Sequence, residues 1–102
     1  MTILTPDTYP IPDPSLVGRL LDSEAVLILT SQAQVKVLNQ VGARLWVLAD
    51  GSRSIRELVA EICQEYQVDP AQAEKDILEY FGILIAKRVY TISDSPRMVT
   101  GF

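Results

Sequence analysis

The chain has 102 residues, 48% of them apolar, and its nine Lys and Arg stand against thirteen Asp and Glu for a formal net charge of −4. That is enough apolar material for one small core, and it is not the composition of a disordered chain. With no histidine and a single cysteine, Cys63, one copy cannot assemble the common zinc sites, a Ser-His-Asp triad, a Cys-His pair or an internal disulfide.

Met1 to Pro14 lacks the basic start and the apolar run of a signal peptide or a membrane span, so a cytoplasmic protein is the expectation. Pro6, Pro10, Pro12 and Pro14 fix φ and remove backbone donors, which favours an extended arm, flexible or docked, over a helix or a central strand. From Leu16 the pattern becomes short β-type runs: Leu16 to Leu21, Ala25 to Thr30 and Gln34 to Leu38. The connectors DSE and SQA have hairpin length, so the runs read as an antiparallel meander.

After Leu38 the period turns helical. Asn39 suits an N-cap, and Val41, Leu45, Leu48 and Ala49 recur on one side until Asp50 and Gly51. Ser54 and Glu57 have capping-box spacing ahead of Ile55, Leu58, Val59, Ile62, Cys63 and Tyr66. A third helix starts at Asp69 with Pro70 in its first turn and continues through Ala73, Ile77, Tyr80, Phe81 and Leu84, with Lys87 and Arg88 placed to complement its C-terminus. Val89 to Ile92 reads either as a last strand or as the chain leaving the helix, and no period follows. The expectation is an α+β fold: a three-stranded antiparallel sheet followed by three helices. An arm over 1–15, a domain over 16–92 and a flexible tail over 93–102 complete the organisation.

Three helices and a sheet invite a winged-helix, DNA-binding reading, in which phosphates must meet Lys or Arg. Between Ser54 and Tyr80, however, Arg56 and Lys75 face Glu57, Glu61, Glu65, Asp69, Glu74, Asp76 and Glu79. That surface repels a phosphate backbone. Asp76 with Glu79, and Glu61 with Glu65, share helix faces, but such pairs ordinarily sit on solvated surface rather than forming an acid/base dyad. Cys63 falls on an apolar stripe and reads as a small buried hydrophobe, and Trp46 reads as a core-edge aromatic rather than a stacking platform.

A meander must have two edges, and Gln34 to Leu38 as an edge offers unpaired N–H and C=O groups with only Lys36 as an obvious guard. An extended peptide can add there. The proline arm or a neighbouring copy of the chain can occupy it equally well. In the third helix, Gly82 and Ile83 stand where a polar residue is expected; apolar exposure beside a β edge suits the wall of a groove, and a slightly wider core stripe explains Ile83 about as well.

Taken together, the strands ending in Leu38-Asn39, VGARLWVLADG from Val41 to Gly51, SIREL from Ser54 to Leu58, EYQVDP from Glu65 to Pro70 and AEKDIL from Ala73 to Leu78 resemble the PqqD-like family, also called precursor-peptide recognition elements. The resemblance spans Leu16 to Tyr90. It implies a winged-helix-like fold and binding without catalysis: capture of the leader of a ribosomally made precursor peptide for a modifying enzyme or leader peptidase. The leader is expected as an added strand along Val35, Lys36, Val37 and Leu38, bordered by Asp76, Tyr80, Ile83 and Lys87 of the third helix. Ser31-Gln32-Ala33 stands where proteins of pyrroloquinoline quinone synthesis usually carry a PEG-type turn, and Arg88 where a Gly is usual. VGARLW and DGSRS look more like stand-alone lasso-peptide recognition proteins. No catalytic residue, cofactor, metal, nucleic acid or membrane is expected, and the chain is a monomer or an edge-paired or domain-swapped dimer. A DNA-binding regulator and a self-associating assembly domain are the alternatives.

Overall fold

The computed structural model describes residues 3–22, 24–29 and 34–96, with Gln34 and Lys36 described in backbone only. In chain order the elements are β1 (Tyr9–Pro12), β2 (Leu16–Leu21), β3 (Glu24–Leu29), β4 (Gln34–Leu38), α1 (Gln40–Leu48), α2 (Ile55–Glu65), α3 (Pro70–Ala86) and β5 (Tyr90–Ser93). β2, β3 and β4 form an antiparallel sheet in that order, and β1 pairs with β5 in a separate antiparallel ribbon. The α+β meander and helical trio expected from the sequence are present. Thr30 and the Ser31-Gln32-Ala33 turn lie outside the described residues, as does the tail from residue 97.

Local chemistry starts and stops the helices. The Asn39 side chain accepts from the Gly42 amide at 2.9 Å. Ser54 and Glu57 complete both halves of a capping box, with the Glu57 amide donating to Ser54 Oγ at 3.2 Å and the Ser54 amide to Glu57 Oε1 at 2.9 Å. Asp69 caps α3 through the Gln72 amide at 3.1 Å, with Pro70 in the first turn. Tyr66 caps the C-terminus of α2 rather than lying within it. The end of α3 is a Schellman turn, in which the Arg88 amide donates to Ile85 O at 3.0 Å and the Val89 amide to Leu84 O at 2.9 Å. Arg88 takes the left-handed position of that turn, with φ 61°. This is the backbone conformation that makes glycine usual there.

That turn reverses the chain into β5, so Val89 to Ile92 is more than an exit from the helix. Tyr90 is buried, packs edge-on against Phe81 at 5.2 Å between ring centroids, and donates its hydroxyl to the Ala49 carbonyl at 3.0 Å. Burial pushes the Tyr90 phenol pKa up. β5 in turn holds the proline arm. Pro12 pairs with Tyr90 and Tyr9 with Ser93, while Pro10 is fully buried. A strand with one open side tolerates prolines because its missing N–H groups owe nothing to a ladder. Upstream, the Thr8 and Pro6 carbonyls accept from the first two amides of α2, Ile55 and Arg56, at 3.0 and 2.8 Å. These are donors that a helix start leaves without intrahelical partners. The arm is thus docked, and it closes the end of α2.

The core lies between the inner face of the sheet and the helices. Leu45, Leu48, Ile55, Leu58, Ile77, Phe81, Leu84 and Tyr90 belong to its main cluster, and Ala25, Leu27, Leu38 and Ala43 form a second one under the sheet. Trp46 and Tyr80 pack against both. Cys63 is half-buried at the edge of the main cluster rather than enclosed in it. Among the described residues no helix is long and apolar enough to cross a membrane.

Candidate functional site

β4 is the last strand of its sheet, paired with β3 on one side. Among the described residues nothing pairs with its other side, because the proline arm is engaged by β5. Its backbone therefore presents donors and acceptors along one free edge. The side chains alternate. Leu38 is buried in the inner cluster, whereas Val35 and Val37 are 67% and 63% exposed on the outer face, opposite Ile28 and Val26. Of the strand residues expected to meet a peptide, Leu38 thus supplies floor, Val35 and Val37 look away from the helices, and the Lys36 side chain lies outside the described residues.

On α3 the core stripe is Ala73, Ile77, Phe81 and Leu84. Asp76, Tyr80, Ile83 and Lys87 follow at spacings of four, three and four, which puts them on one flank of that stripe. Tyr80 joins this flank to the end of β4. A Cβ placed on Gly42 would lie 3.2 Å from the Tyr80 hydroxyl and 3.4 Å from Leu38 Cβ, so the phenol reaches the point where β4 passes into α1. Its ring packs edge-on against Phe81 at 5.3 Å. The hydroxyl is buried without a hydrogen-bond partner among the described residues, and burial pushes its pKa up to about 12. Outward along the same flank, Ile83 is 53% exposed, and Asp76 and Lys87 are exposed as well. The structure brings Leu38 and Tyr80 together and sets an apolar side chain between a carboxylate and an ammonium along the helix.

One carboxylate of each helix-face pair is engaged by a neighbouring side chain. Asp76 accepts from Gln72 Nε2 at 2.8 Å on the helix surface, and Glu65 holds the Arg44 guanidinium at 2.8 Å. Among the described residues no group of Cys, Asp and Glu is placed to hold a metal ion. Trp46 lies across Gly18, where a Cβ would run into its ring, and forms one wall of a cleft of about 870 Å³ with Leu16, Leu20 and Val47. The sequence signal for that contact was the glycine inside a strand pattern, which marks a close approach. The Tyr90 anchor left no comparable signal, because a tyrosine in a short apolar run does not reveal which carbonyl it reaches.

Comparison with known proteins is consistent with this geometry. The family model described as coenzyme PQQ synthesis protein D (PqqD) matches residues 20–89. A solved structure described as TbiB1 in complex with the TbiA(beta) leader peptide matches with 30% sequence identity and a TM-score of 0.72, over 78% of this chain and 93% of that one. No curated protein matches.

Proposed function

The chain belongs to the PqqD family, and from that premise we propose that it is a non-catalytic recognition protein that captures the leader segment of a ribosomally synthesised precursor peptide. The leader adds as a strand along the backbone of Val35, Lys36, Val37 and Leu38, beside the α3 flank of Asp76, Tyr80, Ile83 and Lys87. The observation that carries this reading is the edge of β4 that stays unpaired among the described residues, the chain's own arm pairing with β5 instead. The solved relative, which holds a leader peptide, supports it.

The physical work is recognition. A free leader is mostly disordered and loses conformational entropy on docking. Main-chain hydrogen bonds along β4 supply part of the compensation, and apolar leader side chains placed over Tyr80 and Ile83 supply the rest. Lys87 attracts acidic leader residues and sets the rate and register of docking rather than most of the affinity. Held in this way, the precursor is presented at raised effective concentration to a leader peptidase or another modifying enzyme. The lasso-like VGARLW and DGSRS stretches favour a separate leader peptidase, acting in the cytoplasm.

Labelled leader peptides encoded by neighbouring genes, titrated against a scrambled control, test this. Selective binding is expected, and Val37→Pro, which removes a backbone donor from the edge, should abolish it while the circular dichroism and melting of the domain persist. Undiminished affinity in folded Val37→Pro protein overturns strand addition.

A further inference from the structure

The outer face of the three-stranded sheet is the unexplained surface. A sheet face turned to water normally alternates to polar residues. Here Val17, Ile28 and Val35 form one cross-strand row, and Arg19, Val26 and Val37 the next. Val17 is 55% and Ile28 41% exposed. The charged member of these rows sits on β2, away from the free edge, and both rows end at the edge in valines. An edge meant to stay unpaired is usually guarded by charge. These rows instead run apolar up to the place where a further strand would lie.

We propose that Val35 and Val37 are specificity-determining residues that read the outward-facing side chains of the added strand. The occupant is a peptide with two apolar, β-branched or aromatic residues two positions apart on its outer face, in addition to those it turns toward α3. This rests on strand addition along β4 and deepens it. Side chains alternate along any strand, so every second residue of an added peptide must fall beside Val35 and Val37 whatever its inward residues contact. Directly opposed apolar pairs of this kind change affinity by up to about fivefold each. The bound segment is therefore apolar on both faces, a pattern that distinguishes it from an ordinary amphipathic strand.

The test is selection of a displayed library of random dodecapeptides on the full chain, on Val35→Lys and on Val37→Lys. Wild type should enrich peptides with two apolar positions two apart, and each lysine variant should convert one of those positions to Asp or Glu while leaving the others unchanged. A peptide selected on wild type should lose affinity about fivefold for the matching lysine variant and regain it when the opposing residue is made acidic. Val37→Thr, which keeps the β-branched shape, should weaken the apolar preference without altering the melting profile, which covers any lysine variant that folds poorly. Recovery of the same peptides at unchanged affinity from both lysine variants overturns the inference and leaves strand addition standing. Absence of any enriched family on wild type overturns both. Sedimentation that shows the edge sealed in a dimer at the selection concentration assigns the face to a second copy and overturns the inference as well.

Discussion

Arg88 and Tyr80 are held in a conformation and in surroundings that cost stability. Arg88 occupies the left-handed position of the α3 Schellman turn, where a side chain costs about 1–2 kcal/mol relative to glycine. Arg88→Gly should therefore raise stability by about 1 kcal/mol, or about 4–8 °C in melting temperature for a domain of this size, as read by denaturant and thermal unfolding. Among the described residues the Tyr80 hydroxyl is buried without a partner, and leaving such a hydrogen bond unmade costs about 1–3 kcal/mol. Tyr80→Phe should leave the free protein at least as stable as wild type. The same phenol gives a pH signature. Burial pushes its pKa up to about 12 from the ordinary tyrosine value of 10.0, so the folded state holds the proton that the unfolded state releases first. Stability contributed this way is full below pH 10.0 and is lost as pH rises toward about 12, with Tyr90 acting in the same direction. Urea midpoints followed into alkali should fall for wild type and fall less for Tyr80→Phe.

At the scale of elements, the arm is the piece whose role changed most between sequence and structure. Its prolines announced an extended segment, yet nothing local specified a partner. The pairing of Tyr9–Pro12 with Tyr90–Ser93 joins segments about eighty residues apart. By contrast, the helix boundaries were legible because their causes are local: Asn39, the Ser54 and Glu57 pair, Asp69 and Pro70 each act within one turn. The strand meander was legible for the same reason. Its edge was legible too, but the direction in which Val35 and Val37 point became clear only from their register with Ile28 and Val26. Deleting residues 1–12 removes the buried Pro10 and the carbonyl acceptors of Ile55 and Arg56. With each lost hydrogen bond costing about 1 kcal/mol, the truncated chain should be destabilised by about 2 kcal/mol or more in denaturant unfolding. Because the arm pairs with β5 and not with β4, the truncation should not tighten leader binding. An increase would mean that the arm shields the groove in solution.

Charge becomes decisive for the molecule as a whole. A three-helix domain with a sheet has the outline of a DNA-binding winged helix, and shape alone does not separate the two functions. The net charge of −4 and the seven acids set against two cations between Ser54 and Tyr80 weigh against the DNA-binding one. Duplex affinity comes mainly from cations displacing counterions at phosphates, and it falls steeply with salt. Strand addition draws instead on backbone hydrogen bonds and apolar contacts, neither of which is screened in that way, while exposed charges such as Lys87 act over little more than a Debye length. The two functions therefore differ in the steepness of their salt dependence. The protein should fail to retard duplex DNA even at low ionic strength. Its affinity for a leader should change by no more than about tenfold across a range of salt that costs a phosphate-binding protein about a thousandfold, with the change carried mostly by the association rate. Stopped-flow binding at several salt concentrations measures both quantities. A steep salt dependence of the dissociation rate would place the dominant contacts on charged side chains and remove the open edge of β4 from its central role.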